Sequence, residues 1–246
     1  MVIKKSKKNN DDLQAEKKRE QVIAIYKTRL THLKRAQLLV KDDKMVLAVD
    51  SYNKYLGILA LYFDTTEDQL RPTLFDPEKD VTELLLISHA YWDLAKAYDR
   101  SPNLQRDCFR CLEQYVKFSI GFKYQHVNAQ IIRKYNNKKQ AHNLKFFEAA
   151  YHKIQISSKK CYIATSCFGE NDTRTETFRQ FKLTISAYDL GKNFIDTYYQ
   201  FSPTIITYFN SSPRSKFFLE SFFIKPLLNI LFILINPYVD NNKTRS

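Results

Sequence analysis

Only four glycines and seven prolines punctuate 246 residues. Glycine supplies the positive φ that tight hairpin turns demand. A chain so short of it turns too seldom for a β-rich fold, so the scarcity points to helices. There is no glycine-rich phosphate loop and no Ser-His-Asp arrangement, so nucleotide hydrolysis and serine-type acyl transfer lack their signatures. The opening residues, "MVIKKSKKNNDD", carry positive charge with no apolar run behind them, and no secretory signal peptide is expected. The expected compartment is therefore reducing and cytoplasmic, with the four cysteines free rather than paired.

What is present is globular in balance, at 44% hydrophobic and 26% charged. The length suits one large domain or two small ones, with enough chain to bury a core. Aromatics are plentiful, 16 Tyr and 18 Phe, and must supply helix contacts. The net charge of +13 is uneven. Residues 1–35 carry 11 Lys/Arg against 4 Asp/Glu, and residues 123–160 carry 9 against 1. Between them, residues 36–122 carry 10 against 14. Two basic zones thus bracket an acidic body, and such zones suit nucleic acid, anionic lipid or plain solvation.

Residues 1–15, charged and rich in Asn, read as a disordered basic tail. From about Glu16 the spacing turns helical, with Val22, Ile25, Tyr26, the stem of Arg29, Leu33 and Ala36 recurring at three and four residues. "VKDD" at 40–43 turns the chain, with Asp42 or Asp43 capping a helix over about 44–62. Residues 64–80 read as loop, followed by a helix from Val81, a stop at "SPN" (101–103) and a helix over 104–122. The basic stretch 123–160 reads as one or two helices with a break near "NNKK", 136–139.

Residues from about 20 to 122 resemble tetratricopeptide-type helix hairpins. Ala36, Ala48, Tyr52 and Tyr55 fall at that family's small, small, aromatic and small positions, with Tyr55 departing from the last. Tyr91, Leu94, Ala95 and Tyr98 match a first helix, and Cys108, Leu112 and Tyr115 match a second if one residue is inserted. The two units are 59 residues apart, Ala36 to Ala95, unlike a tandem array. The resemblance implies a helix-hairpin scaffold.

The stretch "CYIATSCFG", 161–169, differs from everything before it. With "FRQFK" (178–182) and "LGKNFIDTYYQFSP" (190–203), it resembles the CFI-box C-terminal domain family over about 161–235. The matching positions are Cys161, Ile163, Ala164, Thr165, Gly169, Tyr198, Tyr199, Ser202 and Pro203, and Cys167 departs from a usually aliphatic position. The resemblance implies a bacterial, modular, localising element and no reaction. The residues themselves allow "CYIAT" to be extended and Gly169 to take a positive φ. Asn171, Asp172 or Thr173 can cap the following helix, with Glu176 completing a capping box for Thr173. Pro203 and Pro213 can each start a helix, and Pro226 starts or kinks the last one.

The chemistry is sparse. Cys161 and Cys167 are too far apart for a paired metal knuckle, and "CFRC" at 108–111 lies inside a helix where both sulfurs can be buried. No metal and no cofactor are expected. His32, His89, His126, His142 and His152 all lie on the N-terminal helices without an orienting carboxylate, and His89 reads as a satisfied buried histidine. Cys161 is the one candidate nucleophile, and its expected use is structural.

The tail "FFLESFFIKPLLNILFILI", 217–235, is long enough to span a bilayer. Its 14 Leu, Ile and Phe contribute roughly −4 to −8 kcal/mol of insertion free energy. Lys225 opposes with about +3 kcal/mol, and Glu220, Asn229 and Pro226 add more. A broken hairpin or interfacial helix over 213–235 fits better than a clean span.

These readings combine into an all-α protein with a basic tail (1–15), a helical hairpin domain (16–160) and a C-terminal CFI-box-like module (161–246). The leading expectation is a non-enzymatic adaptor. Its hairpins would dock a protein partner, with Tyr55, Tyr91 and Trp92 as candidate groove or core aromatics. Its C-terminal module would hold it at the anionic inner face of a membrane. The second expectation is nucleic-acid binding through 123–160, with Tyr124 and Tyr135 stacking on bases. The third is a cysteine-dependent enzyme using Cys161.

Overall fold

The computed structural model describes residues 2–157, 161–211 and 220–243. They form helices joined by turns and one longer loop, with no strand among the described residues, so the fold is all-α. The chain divides into two compact units, residues 1–124 with 130–150, and residues 125–129 with 151–246. The second unit thus begins at Tyr151 rather than Cys161. It also recruits residues 125–129, because Gln125 Nε2 donates to the Ile154 carbonyl at 2.7 Å.

The first unit holds α1 (Val2–Lys27), α2 (Arg29–Lys41), α3 (Met45–Tyr62), α4 (Val81–Asp99) and α5 (Gln105–Lys117). Helix α1 covers the segment whose composition reads as disordered. Residues 2–27 hold no glycine or proline and are rich in Lys, Glu and Gln, which favour helix. Helices α2 and α3 pack as one hairpin, α4 and α5 as another, and α3 touches α4. Ala36, Ala48, Leu59, Leu94 and Ala95 are buried at these contacts. The turn at 42–44 works differently from expectation. No side chain caps α3, and Asp43 instead takes the left-handed conformation (φ 54) that short polar residues tolerate.

Tyr55 stands where the hairpin pattern prefers a small residue, and its reach explains it. Its buried hydroxyl donates to Glu83 on α4 at 2.9 Å, and Arg29 of α2 closes on the same carboxylate at 2.9 Å. Three helices are joined by one charge-assisted cluster, stronger than neutral hydrogen bonds would be. Tyr91 is fully buried and donates to the Glu67 carbonyl at 3.2 Å, while Trp92 packs on Tyr115, Tyr135 and Phe147. These aromatics are core residues. The 64–80 segment is a loop with two 3-10 turns, Glu67–Gln69 and Pro72–Leu74, anchored by buried Leu70 and Phe75.

Helices α6 (Gln125–Asn137) and α7 (Leu144–Ile156) contribute to both units, with the break near 138–143. Asp99, at the end of α4, holds that break. Its buried carboxylate accepts from the His142 and Asn143 backbone N–H at 2.7 and 3.0 Å, and from Asn143 Nδ2 at 2.9 Å.

The second unit adds α8 (Tyr162–Phe168), α9 (Thr173–Ile185), α10 (Asp189–Ser211) and α11 (Lys225–Lys243), the last entered through a π turn at Glu220–Ile224. "CYIAT" is helical, not extended. The Thr165 N–H donates to the Cys161 carbonyl at 2.8 Å, Ala164 is buried, and these contacts outweigh the small helix penalty of Ile and Thr. Gly169 ends α8 at φ 93, as expected. Asp172 caps α9, accepting from the Arg174 N–H at 2.8 Å. The expected box between Thr173 and Glu176 does not form, because Glu176 turns to Arg179 and Gln180. Pro203 lies inside α10 rather than starting a helix, and Pro226 sits in the first turn of α11. Pro213 and residues 212–219 of the tail lie outside the described residues.

Candidate functional site

Helix α9 carries Phe178, Phe181, Lys182 and Ile185 at helical spacing, so one face is apolar with a single ammonium in it. That face, with α8, α10 and α11, lines a half-open cavity of about 510 Å³ within the second unit. Small-molecule sites commonly fall between about 300 and 1,000 Å³. The walls are almost wholly apolar, with Ala164, Ile195 and Leu228 contributed by three different helices.

The polar side chains in the walls are few: Cys161, Arg179, Lys182, Tyr198 and Tyr199. The two halves of the sequence motif meet here. The Tyr198 hydroxyl accepts the Ile163 N–H at 3.1 Å and lies 3.7 Å from Cys161 Sγ. Burial keeps that phenol protonated, pushing its pKa well above the usual value, with the neighbouring thiol adding to the rise. Tyr199 stands edge-on to Tyr198, and its hydroxyl is 3.1 Å from Lys182 Nζ. Lys182 also donates to the Gln155 carbonyl at 3.4 Å. Burial lowers its pKa from the ordinary 10.5 to about 8, against an opposing pull from Cys161. Arg179 is engaged by Glu176 at 3.2 Å and by Glu170 at 4.0 Å.

Most of the expected motif residues converge. Cys161, Ile163, Ala164, Tyr198 and Tyr199 all wall the cavity. Gly169 stands at the α8–α9 corner, its carbonyl accepting from Thr175 Oγ1 at 2.9 Å. Thr165 and Ser202 do not face the cavity, and the Ser202 side chain is buried. Of Pro203, the backbone alone is described, within α10. Lys182 is the functional candidate that sequence reasoning passed over. The signal was there, a lysine on the apolar face of "FRQFK", but only the packing of α10 and α11 makes that face an interior.

The arrangement is poor in acid–base groups. Among the described residues, no histidine and no carboxylate walls the cavity. His152 does have a carboxylate nearby, unlike the expectation, with Asp196 at 3.9 Å, beyond hydrogen-bond length. His89 differs too, since its Nε2 is buried with no hydrogen-bond partner among the described residues. Cys108 and Cys111 are buried on α5, and burial pushes both thiols up to about 12. None of the four cysteines is in a disulfide. Among the described residues no cluster of His, Cys, Asp or Glu is arranged to hold a metal.

A second surface lies on α11 and the π turn. Residues Glu220–Pro237 are long and apolar enough to cross a membrane, and none of them is buried. Two polar side chains of the helix turn inward, beside the apolar Leu228, Leu231 and Ile235 of the cavity wall. Its Asn229 accepts from Arg174 of α9 at 3.1 Å, and Asn236 accepts from Thr177 at 3.4 Å. Meanwhile Leu227, Ile230, Ile233 and Leu234 stand 57–69% exposed. A helix of a water-soluble domain turns its polar side outward instead. Lys225 is not isolated either, lying 3.8 Å from Glu220.

For nucleic acid, the basic stretch offers exposed Lys123, Lys134, Lys138 and Lys139. Tyr124 is unsuited to stacking on bases, being buried with its hydroxyl donated to the Phe118 carbonyl at 2.8 Å. Tyr135 packs against Trp92 and Phe147, beside a hollow of about 390 Å³ in the first unit.

Comparison with protein-family models, with curated proteins and with solved structures finds no match to this chain.

Proposed function

We propose that this protein is a non-enzymatic helical adaptor. Its C-terminal unit rests on an anionic membrane surface, and its N-terminal hairpins dock a protein partner. On this reading the C-terminal unit is a CFI-box-like localising module, and the surface is the cytoplasmic face of a bacterial inner membrane. The observation that carries the proposal is the exposed apolar face of α11, with Leu227, Ile230, Ile233 and Leu234 turned out while Asn229 and Asn236 bond to α9. Exposed apolar side chains in such density favour lipid over water. The Glu220–Lys225 pair supports the same reading, because a paired lysine costs less near lipid than a lone one. The basic zones would add attraction to anionic headgroups.

The test is flotation of the full chain with vesicles containing phosphatidylglycerol, wild type beside the double variant Ile230→Asp, Ile233→Asp. Both side chains are exposed, so the fold should tolerate the change. Each aspartate costs up to about 3 kcal/mol of insertion free energy. The wild type should float and the variant should stay at the bottom with an unchanged circular dichroism spectrum. Equal flotation of the two would sink the proposal.

A further inference from the structure

We infer that the cavity of the C-terminal unit takes up one acyl chain of a membrane phospholipid, with the headgroup left outside it. The inference rests on the membrane reading and names the molecule that fills the cavity there. The first observation is what the wall lacks. It presents essentially no polar surface, although Cys161, Arg179, Lys182, Tyr198 and Tyr199 stand in it. Those groups are turned on the protein itself. The Tyr198 hydroxyl takes the Ile163 N–H, Lys182 meets Tyr199 and the Gln155 carbonyl, and Arg179 meets Glu176 and Glu170. A buried water needs about two to four polar partners, so water is poorly held here. Left empty, the walls forfeit dispersion contacts that only an apolar occupant restores.

The second observation is length. Ile224, Leu228, Leu231 and Ile235 line the cavity as one stripe along the π turn and α11. From Ile224 to Ile235 the stripe rises roughly 16 Å, at about 1.5 Å per residue. The hydrocarbon core of a bilayer is about 30 Å thick, so the chains of one leaflet extend about 15 Å. The cavity, about 510 Å³, has the size of a site for one small ligand, and a whole two-chain lipid exceeds it.

The third observation is the rim. Phe194, Ile205 and Leu227 line the cavity and are also exposed, so its half-open mouth is edged by apolar side chains. Leu227 belongs at once to this rim and to the exposed face of α11 on which the membrane reading stands. A chain moving between lipid and cavity would pass over apolar surface. Because the wall offers a headgroup no polar contact, the identity of the headgroup should not matter.

The experiment uses the full chain on vesicles containing phosphatidylglycerol, doped with a phospholipid that carries a photoactivatable diazirine near the methyl end of one chain. Peptide mass spectrometry locates the adducts after flotation and irradiation. Adducts are expected at Ala164 and Ile195, which are buried in the wall beyond the reach of bulk lipid, as well as on the exposed face of α11. Phosphatidylglycerol and phosphatidylcholine probes should label the wall equally. Leu228→Trp, which narrows the cavity, should still float and lose wall labelling about tenfold, because overpacking an apolar site is costly. Flotation with adducts only at exposed positions such as Ile230 and Ile233 would overturn the inference and leave the membrane reading standing. So would a strong preference for one headgroup, or undiminished wall labelling in a folded Leu228→Trp chain. Should that variant fail to fold, hexadecane added to the wild-type vesicles serves. It must suppress the wall adducts and spare those on Ile230 and Ile233, and unchanged wall labelling overturns the inference. A wild type that does not float would sink the membrane reading, and with it phospholipid as the source of the chain.

Discussion

Burial sorts the four thiols into two kinds. Cys108 and Cys111 are closed inside the first unit with their pKa values raised to about 12, so they stay protonated and shielded. Cys161 and Cys167 are partly exposed. A disulfide-exchange reagent at pH 8 should therefore modify two thiols quickly and reach all four only in denaturant, with mass spectrometry of peptides assigning the fast pair. Fast loss of Cys108 or Cys111 would contradict the buried placement. Lys182 makes a second prediction. Its folded-state pKa, about 8, lies below the ordinary 10.5. Between those values the unfolded chain binds more protons than the folded one, so unfolding free energy rises with pH across that window. Below pH 8 both states are charged and the folded state bears the full cost of burying the ammonium. Urea melts from pH 7 to 10 should show the wild type gaining stability relative to Lys182→Met. A flat difference would mean that Lys182 is solvated.

At the scale of the element, corners decide the second unit. Gly191 is the clearest case, since a Cβ there would collide with the Ile185 carbonyl where α10 folds back on the end of α9. Gly169 has open space around it but sits at φ 93, so its requirement is backbone conformation rather than room. Gly191→Ala should destabilise by about 1–3 kcal/mol through overpacking. Chemical denaturation would read this as a shifted midpoint with little change in slope, and an unshifted midpoint would disprove the close approach. The sequence motif quotes both glycines, yet spacing alone does not separate the two roles. Nor does spacing show that α8 is helical. Ile163 and Thr165 lean toward strand, and the bond from the Ile163 N–H to Tyr198 on a distant helix is what holds the segment. Pro203 misleads in the same way, because neighbouring turns of α10 carry the helix through it.

For the whole molecule, the net charge of +13 sets the response to salt. On the adaptor reading, vesicle binding has an electrostatic part from the basic zones and an apolar part from α11. Raising salt from about 0.05 to 0.5 M shortens the Debye length several-fold and should weaken flotation without abolishing it. Complete release by salt with the tail intact would assign binding to charge alone and exclude α11. The division into units carries a lesson as well. The composition changes at Cys161, but contacts place the boundary at Tyr151 and bring in residues 125–129. Gln125 and Ile154 lie far enough apart in sequence that no local pattern links them.

By itself the sequence determined what local physics can determine. Few glycines, few prolines and apolar residues at three- and four-residue spacing dictate helices, and they place α3, α4 and α5 with their small and aromatic contact positions, while 123–160 reads only as one or two helices. Charge segregation and the lysine on the apolar face of "FRQFK" were equally readable as patterns. Only the tertiary structure decided what those patterns enclose. It put Tyr55 against Glu83 and Arg29, turned Tyr91 and Tyr124 inward, and brought Cys161 to Tyr198 across 37 residues. It also turned Asn229 and Asn236 of α11 onto α9 and left Leu227, Ile230, Ile233 and Leu234 exposed. A cavity between helices and an exposed apolar face are properties of how helices are arranged, and the same helical periodicity is compatible with many arrangements.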